Sequence, residues 1–171
     1  MGAVSGEAAH VREQIGRMAE LYARYGPGAA RLAYLLIGDR TTADDLTQDA
    51  FVRVFGRFRD LRDLGAFEWY LRRAVVNLAN SHFRRLRSER EYLRRRRVER
   101  PVSIPDIASR DELWRALQTL SARQRAAIVL RFYEDLSEAA TAEALRCPVG
   151  TVKSLVSRGM GRLRSEVTRD A

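Results

Sequence analysis

Hydrophobic residues recur along this chain at intervals of three and four, and rarely at intervals of two. A period near 3.6 is typical of amphipathic α-helices, whereas a period of two would indicate strands. Glycine and proline fall between the periodic runs, where they separate one helix from the next. The pattern predicts an all-α fold with helices over about 8–25, 27–37, 42–58, 66–97, 121–133, 137–145 and from 149 onward.

Local signals set the expected helix boundaries. Gly26 is expected to end the first helix, Pro27 to open the second and Gly38 to close it, because proline suits a first turn and glycine a helix end. Thr42 is expected to cap the third helix at its N-terminus. Two further N-caps are expected at Ser121 and Ser137.

The helices divide into two small domains. Residues 98–109 contain Pro101 and Pro105 without an apolar period, which predicts a flexible linker. It would join a helical domain at 1–97 to a smaller one at 110–171. In the smaller domain a break at 146–148 separates two helices, and this outline predicts a helix-turn-helix.

Two glycines and an arginine are expected to affect the stability of that smaller domain. Gly159 and Gly161 are expected to weaken the last helix, so that its distal half frays. Arg146 stands in the turn, where an arginine is costly if the backbone is left-handed.

Charge narrows the choice of partner. The 171 residues carry a formal charge of +9, and residues 84–100 alone hold nine arginines against three glutamates. Such a balance favours a polyanionic partner such as nucleic acid. The single cysteine, Cys147, allows no intramolecular disulfide, and the longest uncharged stretch, 74–83, is too short to span a membrane. We therefore expect a cytoplasmic protein without membrane contact.

Catalytic and cofactor motifs are missing from the sequence. There is no glycine-rich phosphate loop, nucleophile elbow, pair of catalytic carboxylates or metal-ligand spacing. The acidic residues at 39, 44, 45 and 49 are interpreted as helix-start acids that complement the helix dipole. We expect no enzyme activity, no catalytic residue, no metal, no cofactor and no small-molecule substrate.

Two polar helix faces suit nucleic acid. Within 66–97, cations and amides recur at spacings of four, three, four and three, at Arg73, Asn77, Asn80, Arg84 and Arg87. Arginines hold phosphates and asparagine amides pair with base edges, while Phe67, Trp69 and Tyr70 could stack on unpaired bases. The alternative is that the aromatic residues belong to the core and the charges form a solvated face.

The last helix offers the second face. Its apolar stripe is expected at Val149, Val152, Val156, Met160 and Leu163. This places short polar and basic residues outward, a composition that suits the major groove and its phosphates. The outward residues are Thr151, Lys153, Ser154, Ser157, Arg158 and Arg162.

Three strings in a fixed order resemble one protein family. They are TADDLTQDAFVRVF at 42–55, AFEWYLRRAVVNLANSHFRR at 66–85 and LSARQRAAIVLRFYEDLSEAATAEALRCPVGTVKSLVSRGMGRLR at 120–164. The resemblance is to extracytoplasmic-function (ECF) sigma factors of bacterial RNA polymerase, particularly those of actinobacteria. In that family the strings correspond to a core-polymerase-binding helix, a minus-ten-reading helix and a minus-thirty-five-reading domain.

The resemblance implies roles for particular residues. The core-polymerase-binding set would be Asp45, Gln48, Asp49 and Arg53. The minus-ten set would be Leu61, Arg73, Asn77, Asn80 and Arg84, with the loop 59–65 capturing a flipped base. The minus-thirty-five set would be Thr151, Lys153, Ser154, Ser157 and Arg158.

The implied partners are core RNA polymerase, promoter DNA and an anti-sigma protein. Two other functions are left open by the residues. A stand-alone transcriptional regulator would use the same helix-turn-helix on duplex DNA without polymerase. A helical adaptor would use its basic segment to bind an acidic protein.

Leu155 stands where the family commonly has a polar residue, so it either touches a thymine methyl group or widens the core.

Overall fold

The computed structural model describes residues 3–57, 64–95 and 112–167. These residues form helices and connecting turns, with no strand among them, which confirms the all-α prediction. The helices are α1 Ala3–Ile37, α2 Arg40–Arg57, α3 Leu64–Arg95, α4 Glu112–Gln118, α5 Ala122–Ile128, α6 Glu138–Leu145 and α7 Val149–Val167, with a π-helical segment at Val129–Tyr133. The predicted linker, 98–109, lies outside the described residues.

Helices α1, α2 and α3 form the first domain around an aromatic and aliphatic core. Phe51 and Phe67 are almost fully buried, and their ring centroids lie 5.7 Å apart. Leu32, Leu71 and Val75 close the core around them. Burial of such side chains contributes about 1.5–3 kcal/mol each, so this contact fixes the three helices relative to one another.

The two helices expected over 8–25 and 27–37 are one continuous helix, and the predicted break at Gly26 and Pro27 is wrong. The apolar stripe continues across that point, because Leu21 and Ala29 are both buried in the same core. Pro27 lies on the exposed side, where water can satisfy the carbonyl left without a backbone donor. Core packing therefore overrides the local stop signal.

The junction of α1 and α2 is set by two residues. Gly38 closes α1 as predicted, with a φ of 87° that favours glycine. The N-cap of α2 is Asp39 rather than the predicted Thr42: its carboxylate accepts a hydrogen bond of 2.7 Å from the backbone N–H of Thr42 and one of 2.6 Å from its hydroxyl. These bonds lower the pKa of Asp39. Aspartate outcompetes threonine here because its carboxylate accepts both donors.

In the second domain α4 is followed by two helices with N-caps. Ser121 caps α5 as predicted, in a reciprocal capping box with Gln124. Ser137 caps α6 as predicted, accepting a 3.1 Å bond from the N–H of Ala140. The helix expected over 121–133 changes to a π-helical segment from Val129, where the N–H of Glu134 bonds to the Val129 carbonyl.

The α6–turn–α7 unit confirms the helix-turn-helix prediction. Arg146 holds the turn in a left-handed backbone conformation, at φ 51° and ψ 53°. Leu155 is buried and belongs to the core, while Val149, expected in the buried stripe, is 39% exposed. The stripe is therefore rotated toward Leu155.

Helix α7 continues through both glycines to Val167. Gly159 is buried, and a Cβ built on it would come within 2.6 Å of the Ile128 side chain. The missing side chain lets α7 approach α5 closely. Packing against α5 thus offsets the low helix propensity of that glycine.

The two domains pack against each other through polar contacts. The Arg125 guanidinium donates a 2.8 Å hydrogen bond to the Leu36 carbonyl at the end of α1. Arg72 of α3 forms a 2.5 Å ion pair with Glu134, which follows the π-helical segment. These contacts hold α5 and the end of the π-helical segment against α1 and α3.

Candidate nucleic-acid interface

One polar face of α2 is fully solvent-facing. Asp45, Gln48, Asp49 and Arg53 are all exposed, whereas the opposite face supplies buried residues such as Ala50 to the core. The structure thus brings the four predicted partner-binding residues to one surface. Two carboxylates lie on this surface near a guanidinium and an amide, so it can meet a partner of mixed charge.

Val52 lies on that face of α2 and was missed by the sequence reasoning. It is 62% exposed and lies between the buried Phe51 and the exposed Arg53. The signal that could have found it is its spacing of three from Asp49 and four from Gln48, which places it among the polar residues. An exposed apolar side chain within a polar rim is typical of a contact surface.

The polar ridge of α3 lies opposite its buried stripe. Arg73, Asn77 and Asn80 are half-buried, and Arg84 and Arg87 are exposed. Leu61, the fifth predicted minus-ten residue, lies outside the described residues. The ridge therefore presents two amides between guanidiniums, which is the donor and acceptor mixture that base edges require.

The aromatic residues at the start of α3 divide between core and surface. Phe67 is buried, as the core alternative predicts. Tyr70 is 40% exposed and meets the half-buried Trp69 edge to face, with centroids 4.9 Å apart. The Arg73 guanidinium lies 5.1 Å from the centre of the Trp69 ring. The indole thus holds that arginine in place by a cation–π contact.

The second domain covers part of this ridge. Arg73 forms an ion pair of 2.7 Å with Glu143 of α6. Their side chains are 29% and 55% exposed, so the pair is solvent-accessible. Exposed ion pairs contribute about 0–1 kcal/mol, so a competing phosphate could displace this carboxylate.

The outward face of α7 is polar and accessible. Lys153, Ser154, Ser157 and Arg158 are exposed, and Thr151 is half-buried. Two of them are ordered by the helix itself: the Ser154 hydroxyl donates to the Gly150 carbonyl over 2.9 Å, and the Arg158 Nε donates to the Ser154 carbonyl over 3.1 Å. The five predicted minus-thirty-five residues thus occupy the first three turns of one helix after a tight turn.

The described residues contain no group of three or more His, Cys, Asp and Glu side chains placed to hold a metal ion. Within the same parts of the chain, none of the helices has the length and apolar character that crossing a bilayer requires.

Profile and sequence comparisons follow the same division. Residues 21–89 match sigma-70 region 2, and residues 110–163 match sigma-70 region 4. The chain is 38% identical to the RNA polymerase sigma-E factor of Streptomyces antibioticus over 139 residues, covering 79% of this chain and 76% of that protein. It is 30% identical to the ECF RNA polymerase sigma factor SigC of Mycobacterium tuberculosis, covering 81% and 76%.

Solved structures share the fold. The sigma factor RpoE of Bartonella quintana, solved with the anti-sigma factor NepR, aligns over 90% of this chain and 98% of that one, with a TM-score of 0.65 and 24% identity. CnrH, solved with the cytosolic domain of CnrY, aligns over 96% of each chain, with a TM-score of 0.63 and 24% identity.

Two helical domains, one ending in a helix-turn-helix and both matching sigma-70 regions, define a promoter-recognition factor of transcription initiation. The chain belongs to the sigma-70 family of RNA polymerase sigma factors, in its extracytoplasmic-function group.

Proposed function

We propose that this chain uses three separate helix faces to direct core RNA polymerase to its promoters and to open the start site. The observation that carries this proposal is that three exposed polar faces, on α2, α3 and α7, fall within the two sigma-70 matches. The proposed units are a polymerase-binding and minus-ten domain at 1–97, a linker at 98–109 and a minus-thirty-five domain at 110–171.

The α2 face is the proposed polymerase contact. Asp45, Gln48, Asp49 and Arg53 supply charge and hydrogen-bonding groups, which fix orientation and partner choice. Val52 at the same surface supplies an apolar contact that the partner can desolvate. In this assignment the acidic residues serve a protein partner, and they keep the α2 surface from competing for DNA.

The α3 ridge is the proposed minus-ten reader. Asn77 and Asn80 would donate to and accept from bases of the non-template strand, while Arg73 and Arg84 hold its phosphates. Leu61 would line the pocket for a flipped base, and unstacking that base costs a few kcal/mol. Melting is then driven by binding of the open strand, with no covalent chemistry and no cofactor.

The α7 face is the proposed minus-thirty-five reader. Thr151, Ser154 and Ser157 are short enough to let the helix enter the major groove. Lys153 and Arg158 would lie toward the phosphates on either side. The Lys153 ammonium now lies 3.6 Å from Glu138, in an exposed pair that DNA phosphate can replace.

The packed arrangement of the two domains is proposed to be the form without polymerase. In this form Glu143 of α6 pairs with Arg73, so DNA would have to displace that carboxylate to reach this end of the minus-ten ridge. Polymerase binding would separate the domains. This accounts for a sigma factor that binds promoter DNA poorly by itself.

Regulation and location follow from the same assignment. The solved relatives are complexes with an anti-sigma factor or with a partner's cytosolic domain. We propose that a protein of this class holds the present chain inactive in the cytoplasm, where polymerase works. The proposed role is binding alone, without enzyme activity.

The test is capture of fragmented genomic DNA by the protein with and without matched core polymerase. Fragments sharing two spaced motifs, retained only with polymerase, support the proposal. Tight and selective retention without polymerase would show a stand-alone regulator, and no selectivity in either condition would show an adaptor.

A further inference from the structure

A cleft of about 470 Å³ lies where the turn after α6 meets α2 and α3. Four arginines are among the residues that line it, namely Arg53, Arg57, Arg73 and Arg146. Three of them come from the first domain, and the fourth comes from the helix-turn-helix. The docking of the domains therefore assembles the cluster.

The charges of this cleft are unbalanced. Glu143 pairs with Arg73 at 2.7 Å, and within the described ranges no carboxylate lies at ion-pair distance from Arg53, Arg57 or Arg146. The cleft thus holds a net charge of about +3, counted from these five side chains at neutral pH. Arg53, Arg57 and Arg146 are exposed, and like charges gathered around one cleft repel one another, so a bound anion would stabilise this arrangement.

The backbone of Arg146 adds an independent observation. Arg146 adopts φ 51°, a left-handed conformation that suits glycine and strains an arginine. Strained residues cluster at active sites, ligand clamps and switch regions. Here the strained residue contributes the second domain's guanidinium to the cleft.

We propose that this cleft binds a small anion carrying several phosphate groups, which bridges the two domains. Guanidinium forks bind phosphate oxygens in pairs, and a few hundred Å³ is the size of a small-molecule site. Asn77 and the exposed Tyr70 also line the cleft and supply neutral polar contacts. The bound anion would hold the domains together.

The anion would also compete with promoter DNA. This consequence rests on the proposed function, which assigns Arg73 and Asn77 to the minus-ten element. Binding of the anion does not depend on that assignment, because it needs only the charges of the packed chain.

Isothermal titration of the full chain with inorganic tripolyphosphate, at fixed ionic strength, tests the proposal. One site is expected, with the Kd raised at least tenfold by Arg146→Gly and by Arg57→Gln. Glycine suits the left-handed backbone, so loss of the fold does not explain the first result. The control is Arg123→Gln, which removes an exposed arginine of α5 outside the cleft and should change the Kd less than twofold.

Three outcomes would overturn the proposal. They are absence of a saturable site, an equal loss with Arg123→Gln, or the same affinity for sulfate at matched ionic strength. A mixed-sequence single-stranded oligonucleotide is titrated in parallel. If Arg146→Gly weakens its binding as much as that of tripolyphosphate, the cleft is part of a DNA path. Failure of the anion site shows in the titration, whereas failure of the proposed function shows as loss of promoter-selective capture in phosphate-free buffer. The two failures are therefore distinguishable.

Discussion

The guanidinium of Arg125 lies 2.8 Å from the backbone carbonyl of Leu36, which is 89 positions earlier in the chain and in the last turn of α1, in the other domain. Arg125 is only 6% exposed and also donates to the carbonyls of Leu117 and Leu120. Burial lowers its pKa to about 10, so it remains charged at neutral pH. A cation at the C-terminus of α1 satisfies one of the carbonyls that the helix leaves without donors.

Replacing this arginine should destabilise the fold strongly. Arg125→Met keeps much of the side-chain volume but leaves three buried carbonyls without their donor, so we expect a loss of about 2–4 kcal/mol in the free energy of unfolding. Urea denaturation followed by circular dichroism measures it. Arg123→Met, two residues earlier and exposed, should change stability by less than about 0.5 kcal/mol. Equal effects for the two would show that the Arg125 contacts contribute little.

The two glycines of α7 should respond oppositely to alanine. Nothing lies within 4 Å of a Cβ built on Gly161, so Gly161→Ala should stabilise the protein by about 0.5–1 kcal/mol through helix propensity. Gly159→Ala should destabilise it by about 1 kcal/mol, because its Cβ would overlap the Ile128 side chain. Thermal unfolding of both variants compares them. Stabilisation of similar size by both would contradict the close α5–α7 packing.

Much of the fold could be predicted from periodicity and caps. The helical period and the serines at 121 and 137 depend on neighbouring residues alone, so local rules were enough for them. The break at Pro27 was wrong because the apolar stripe of α1 packs against α2 and α3, which are distant in sequence. The close approach at Gly159 could not be predicted because it depends on Ile128, which is also distant in sequence. The cap at Thr42 was misjudged for a local reason, because Asp39, three residues earlier, is the stronger acceptor and caps the helix instead.

The candidate site likewise has a part that could be predicted from the sequence and a part that could not. The faces of α2, α3 and α7 follow from helical spacing and could be listed in advance. The pairing of Arg73 with Glu143 and the four-arginine cleft could not, because they depend on how two domains dock. Val52 was not predicted because it is the apolar exception on the polar face of α2.

The stability of the packed form should depend on Glu134. Burial, aided by Glu68, raises the pKa of this carboxyl above its ordinary 4.5, although Arg72 at 2.5 Å opposes the shift. The folded chain then binds a proton that the unfolded chain has released, so the contribution of Glu134 is fully present below about pH 4.5 and is lost as the pH rises through its folded pKa.

Glu134→Gln removes that titration. Its stability relative to the original chain should therefore increase as the pH rises from 4 to 8, measured by urea unfolding at each pH. Glu20→Gln, at an exposed position of α1, serves as the control and should give parallel profiles. A constant difference between Glu134→Gln and the original chain would rule out this role for the burial of Glu134.

Single substitutions should affect polymerase binding and promoter opening separately, because the two functions are assigned to different helix faces. Asp49→Arg reverses an exposed charge of α2 and should weaken binding to core polymerase by tenfold or more, whereas Asn77→Ala should leave that binding within about twofold. Asn77→Ala should instead reduce permanganate reactivity of thymines at the start site, measured at saturating polymerase. Glu20→Arg controls for the charge reversal. The same pattern of loss for both variants would contradict separate faces.

Mapping of transcript starts tests the central claim most directly. Matched core polymerase transcribes a fragmented bacterial genomic library with and without this protein, and the 5′ ends are sequenced. The account predicts new starts, present only with the protein, that share two spaced upstream motifs. An active core and a folded protein that together yield no new starts would contradict it.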